Sequence, residues 1–153
     1  MRRAIKSIFA AVLFLTLASS FSYCETISVD ELVTRYVNAT EVQRQQIESE
    51  YRYKTISVSG TIKDVIDWNT FDEKTDTAGH YYKVITESKT AKAGISYEIS
   101  ILYKDKAKVE PLSKGQEIKT DGTFIKIINE INLLSILVYT DELTPEDKVM
   151  FEL

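Results

Sequence analysis

The chain has 153 residues, 44% of them hydrophobic and 27% charged, with five Gly, two Pro and one Cys. That balance excludes a disordered tail, a collagen-like repeat and a disulfide-stapled mini-protein. The formal charge is −4, and the chain is more acidic still once Arg2, Arg3 and Lys6 are set aside.

Residues 1–24 read as an address. Arg2, Arg3 and Lys6 precede an apolar run from Ile8 to Ala18, and the small residues Ser19, Ser20 and Ser22 come next. This is the pattern of a secretory signal peptide. The run is shorter than the roughly 20 residues a membrane-spanning helix needs, so the expectation is an exported protein, periplasmic or secreted. Cys24 sits where processing would occur. As a lipidated first residue it would anchor the protein, but Tyr23 precedes it where a small residue is wanted. Membrane contact is therefore expected only if Cys24 is acylated, and the favoured reading is cleavage nearby. A lone cysteine cannot pair within the chain, so the remaining residues, one domain's worth, must rely on their core.

Residues 25–53 read as a helical segment. Ser28-Val-Asp-Glu31 and Thr40-Glu-Val-Gln43 both fit capping boxes. Leu32, Val33, Tyr36 and Val37, then Val42, Ile47 and Tyr51, recur at helical spacing. One bent helix or two short ones over 29–51 is the prediction, with the stripe forming a core face.

Over residues 54–140 the period switches to two. Ile56, Val58, Gly60 and Ile62 open a first strand, a second lies near Tyr81–Glu87, and Ile95, Tyr97, Ile99, Ile101 and Tyr103 face one way in a third, with Leu102 the exception. A fourth runs from Ile118 to about Ile128 and a fifth from Ile131 to Tyr139. Gly60 and Gly122 interrupt strand patterns, and apolar parity changes after each, as at sharp bends. Five curved strands behind a helix predict a mostly β (α+β) chain built as an OB-fold, a five-stranded Greek-key barrel. In residues 141–153, Thr144-Pro-Glu-Asp147 supplies a cap, a first-position Pro and acids at the positive helix end. Val149, Met150, Phe151 and Leu153 are expected to pack this short helical turn on the barrel.

Certain segments carry a family likeness. Tyr36-Val-Asn38, Tyr51-Arg-Tyr53-Lys54 and Ile56-Ser-Val58-Ser-Gly60-Thr-Ile62, with Leu112-Ser-Lys114-Gly115-Gln116 ahead of Ile118, Gly122 and Phe124, resemble the small exported bacterial OB-fold proteins described as tRNA-anticodon-domain-like. The resemblance implies the barrel and export, often as lipoproteins, and no particular activity. This chain departs from it in lacking a cysteine near the end of the fifth strand.

The chemistry is sparse. His80 is the single histidine and cannot form a two-histidine metal site alone. No glycine-rich phosphate loop or Gly-x-Ser-x-Gly elbow occurs. Asp67 to Asp76 carries acids that could offer oxygen ligands to calcium, but Phe71 stands at the third ligand position of an EF-hand loop, and that loop's glycine and final Glu are missing. No metal or cofactor is expected. The segment reads as a solvated loop between the first two strands, on which Trp68 and Phe71 either tuck against the barrel end or touch a ligand.

OB barrels bind through their second and third strands and adjoining loops. By alternation Tyr81 and Lys83 point outward beside Trp68, Phe71 and His80, and these five are the expected ligand contacts. The expected function is a non-enzymatic binding module of the cell envelope, its ligand a protein, peptide or glycan. Single-stranded nucleic acid is the alternative, through the Lys-rich stretch 83–126. That stretch contains no Arg, whereas nucleic-acid sites show clustered Arg and stacking aromatics. A hydrolytic enzyme using carboxylates of the 67–76 loop is a third reading.

Overall fold

A computed structural model describes residues 26–72, 77–91 and 94–152. The expected export signal with Cys24, the loop acids Glu73 and Asp76, and Leu153 lie outside the described residues.

Two helices come first, α1 (Val29–Val37) and α2 (Glu41–Tyr51). Ser28 caps α1 by accepting from the Glu31 amide at 3.2 Å. The expected reciprocal bond is absent, because the Glu31 carboxylate pairs with Arg35 at 2.6 Å. The second capping box forms as expected, with Gln43 accepting from the Thr40 amide at 2.9 Å. Helix α1 buries Val29, Leu32, Val33, Tyr36 and Val37. Helix α2 buries no residue fully. Only Ile47 and Tyr51 lean on the core, and Val42, expected in the stripe, is 66% exposed.

The strands are β1 (Thr55–Asp72), β2 (Thr77–Thr86), the two-residue β3 (Lys89–Thr90), β4 (Ser96–Tyr103), β5 (Glu117–Glu130) and β6 (Leu133–Tyr139). A four-residue helix, α3 (Lys106–Val109), comes after β4, and α4 (Pro145–Glu152) ends the described chain. The strands form one six-stranded sheet in the order β2-β1-β5-β6-β4-β3, with a further pairing of β2 with β4. The β4–β6 pair is parallel, and the other pairs are antiparallel. The chain is thus mostly β with two helices ahead of the sheet.

Both parity changes read from the sequence are register shifts. One falls between Ile62 and Asp64 in the β1–β2 ladder, the other between Phe124 and Lys126 in the β5–β6 ladder. Each leaves one unpaired residue that bends the strand and re-aims the side chains beyond it. Phe124 and Ile127 consequently enter the main core, while Ile125 enters a second core on the opposite face. The two glycines mark close approaches. A Cβ at Gly122 would lie 2.5 Å from Val138 Cγ1 and 3.0 Å from the Tyr139 carbonyl oxygen, and one at Gly60 would lie 3.1 Å from Thr86 Cγ2.

The main core joins α1 to the inner side of the sheet, including Ile56, Val58, Val84, Tyr97, Ile99, Ile101, Tyr103 and Ile136. Alternation along β4 holds as expected. The exception, Leu102, packs in the second core with Tyr81, Ile125, Leu137, Tyr139 and Phe151. Met150 and Phe151 of α4 are buried, so this helix covers that face. Val149, expected to pack, is 46% exposed instead.

Candidate functional site

The segment expected to be a loop is mostly strand. β1 runs to Asp72 and β2 resumes at Thr77, so the pair forms a long ribbon with Asp72 opposite Thr77. Strand β2 pairs with β4 only from Tyr82 to Ile85. The stretch Thr77–Tyr81 therefore has β1 as its one ladder partner among the described residues, and the ribbon extends beyond the rest of the sheet.

All five expected contacts lie on this ribbon, but it does not bring them to one surface. Residues directly opposite in an antiparallel ladder share a face. Trp68 lies opposite Tyr81, and Ile66 opposite Lys83. Trp68, Tyr81 and Lys83 therefore share the outer face, with ring centroids of Trp68 and Tyr81 6.0 Å apart. The Lys83 ammonium stands 5.7 Å from the Trp68 centroid, within cation–π range. His80 lies opposite Asn69 and Asp67 opposite Tyr82, on the other face. There the His80 ring meets Tyr82 edge-on at 5.1 Å, and its Nε2 lies 3.3 Å from Asp67 Oδ1. Phe71 pairs with Ala78 through the backbone, and its side chain lies outside the described residues.

Tyr81 requires a correction. It points to the outer face, as alternation predicts, but that face is not open there. Tyr81 is 1% exposed, with Phe151 of α4 at 5.4 Å between centroids and Tyr139 at 6.1 Å. It is a core residue and cannot meet a ligand directly. Trp68 tucks half-buried against the same cluster, while Lys83 is half-buried and His80 exposed.

The residue that anchors this arrangement does not stand out in the sequence. Asp147, by position an acid at a helix start, is 2% exposed. Its Oδ1 accepts from the Tyr81 hydroxyl at 2.8 Å and from Lys104 Nζ at 3.0 Å. Its Oδ2 accepts from the Thr144 amide at 3.1 Å, the Thr144 hydroxyl at 2.8 Å and the Tyr139 hydroxyl at 3.3 Å. The Asp147 amide returns a bond to Thr144 Oγ1 at 3.2 Å, completing a capping box. Burial pushes this carboxyl up, but Lys104, Tyr81 and Thr144 outweigh it and hold it below the ordinary carboxylate value. Burial first, then Asp147, pushes the Tyr81 phenol far above its usual range. The carboxylate is saturated with donors, so it pins α4 to the sheet and has no lone pair free for proton transfer. The signals for it are the Thr144-Pro-Glu-Asp147 spacing, which gives the cap but not the burial, and Leu102, an apolar residue on the wrong side of a clean alternation.

A parallel pin sits at the other helix. Asp30 of α1 accepts from the Tyr97 hydroxyl at 2.8 Å and from Lys89 at 3.1 Å. The Lys-rich stretch is further neutralised by the pairs Lys106–Glu110 and Lys108–Asp141, beside Lys104–Asp147. Its lysines thus offer a weaker field to phosphates than their number suggests.

No family model, curated protein or solved structure matches the chain. The resemblance to the tRNA-anticodon-domain-like proteins therefore rests on the sequence segments alone.

Proposed function

We propose that the five long strands close as an OB-type barrel, and that the protein is an exported, non-enzymatic binding module for a protein, peptide or glycan. The additional β2–β4 pairing supports the barrel, because it gives each long strand two neighbours. The parallel β4–β6 pair and the two register shifts agree with that curvature. Export is supported by the pattern of residues 1–24. A binding role in place of catalysis is supported by the buried Asp147, whose acceptor positions are taken up by structural bonds.

One observation carries the site: where the β1–β2 ribbon leaves β4, it has an aromatic and a charged side chain on each face, with Tyr82 and Lys83 still paired to β4 and Trp68 and His80 at the overhang. Trp68 with Lys83 lies on one side and Tyr82 with His80 and Asp67 on the other. The exposed His80 and the half-buried Trp68 and Lys83 favour a polypeptide laid along the ribbon. Trp68 is the only tryptophan, so its emission reports contact directly. Peptide and glycan arrays probed with the wild type, Lys83→Ala and His80→Ala test the reading. Signals lost in the variants, with matching changes in Trp68 emission, support it. Signals that persist unchanged in both variants remove the ribbon as the site.

A further inference from the structure

A hollow of about 190 Å³ lies where the α1–α2 corner meets the β5–β6 hairpin. Val37, Ile95, Leu133 and Leu134 form its apolar wall, and Arg44, Asn129 and Asn132 its polar rim. A neighbouring hollow of about 330 Å³ shares Tyr36, Arg44 and Asn129 and adds Glu41, Gln45 and Glu48. Arg44 therefore divides an apolar compartment from an acidic one.

Its guanidinium is held in place. Nε donates to the Tyr36 carbonyl oxygen at 3.1 Å, and Cζ stands 5.3 Å from the Tyr36 ring centroid. That uses one of five N–H donors. The terminal pair has no hydrogen-bond or ion-pair partner among the described residues, and such a pair matches a carboxylate bidentately. The apolar hollow is smaller than the roughly 300–1,000 Å³ of drug-sized sites, so it suits a group the size of one side chain. Charge then decides between ligand types. A plain anion would meet Arg44 but be repelled by Glu41 and Glu48, and a neutral apolar molecule would leave the guanidinium unmatched. A zwitterion satisfies both signs.

We propose that this cleft binds a free α-amino acid with a branched aliphatic side chain. The carboxylate meets the outer edge of Arg44 and the Asn129 amide, the ammonium faces Glu41 and Glu48, and the side chain lies on Val37, Ile95 and Leu133. The site is separate from the β1–β2 ribbon, so either can fail alone.

Isothermal titration of L-leucine into the purified protein tests the assignment. Saturable binding is expected, with N-acetyl-L-leucine, which lacks the ammonium, and L-leucinamide, which lacks the carboxylate, each at least about 10-fold weaker. Arg44→Gln should abolish the heat. Because Arg44 also secures the Tyr36 carbonyl, Asn129→Ala, at an exposed strand position, serves as a second variant. It should weaken L-leucine by about 3- to 10-fold at an unchanged melting temperature. Lys83→Ala, on the ribbon, should leave L-leucine binding as it was. No saturable heat with L-leucine, L-isoleucine or L-valine at millimolar concentration overturns the proposal. So does L-leucine affinity unchanged in both cleft variants, or N-acetyl-L-leucine binding as tightly as L-leucine.

Discussion

Replacing Asp147 by Ala should be among the most damaging single substitutions in the chain, and its cost can be worked from the geometry. The carboxylate is 2% exposed and serves two buried phenols, Tyr81 and Tyr139. A hydrogen bond to a charged acceptor contributes about 1.5–3 kcal/mol, and a buried donor left without a partner loses that. Lys104 is half exposed and regains water, so it adds little. The total is about 3–6 kcal/mol, overlapping the roughly 3–5 kcal/mol for breaking a buried charged contact. For a domain of this size that corresponds to a fall of about 10–20 °C in Tm. Urea unfolding followed by Trp68 fluorescence, with thermal melts by circular dichroism, measures it. The control is Glu146→Ala, an exposed acid at the same helix end, which should cost no more than about 1 kcal/mol through the helix dipole. If the two variants fall within about 1 kcal/mol of each other, the buried carboxylate is not what holds α4. Acid gives a second reading. The folded-state pKa of Asp147 is lowered from 3.8, so its stabilisation is full above that value. It is lost as pH falls through the lower folded-state value. The stability gap between the wild type and Asp147→Asn should therefore be constant near neutrality and close progressively below pH 3.8.

Gly122→Ala should destabilise by about 1–3 kcal/mol, the usual cost of overpacking, because the new Cβ would sit 2.5 Å from Val138 Cγ1. Adding Val138→Ala should recover part of the loss in urea titrations, and full tolerance of Gly122→Ala alone would contradict the close approach. Gly60→Ala, whose nearest atom is a side-chain methyl at 3.1 Å, should cost less than Gly122→Ala in the same assay. Tyr81→Ala should lower stability by about 3–5 kcal/mol as a core truncation, and Tyr81→Phe by about 1.5–3 kcal/mol through the lost bond to Asp147. A Tyr81→Ala protein with an unshifted melting temperature would return this residue to the exposed surface.

Local patterning carried most of the architecture. The capping box at Thr40, the alternation of Tyr97 through Tyr103 and the Thr144-Pro145 helix start are each written within a few residues, and each forms. The glycine-linked parity changes at 60–66 and 122–128 likewise surface as register shifts. The reach of the first two strands was not legible, because Asp67 and Asn69 are poor strand formers and extend by pairing with Tyr82 and His80. The candidate site was half legible for a related reason. Alternation gave the side on which Trp68, Tyr81 and Lys83 stand, but the cover over that side depends on Phe151, whose contacts no local pattern encodes. Val42 and Ile131 show the same limit from the other direction. Both are apolar at positions the periodicity assigns to packed elements, yet they are 66% and 95% exposed, since nothing in the described fold reaches them.

The clamp between Tyr81 and Asp147 spans 66 positions of sequence, which orders events during synthesis and folding. Until the last helix arrives, Tyr81, Leu102, Ile125, Leu137 and Tyr139 form a continuous greasy outer surface on an otherwise assembled sheet. Contacts of such long sequence separation form late and slowly, and exposed apolar surface on a folding intermediate invites association with other chains. The C-terminal helix is in that sense a built-in solubility shield. Shortening the protein before Pro145 would yield a self-associating species well before it yielded an unfolded one.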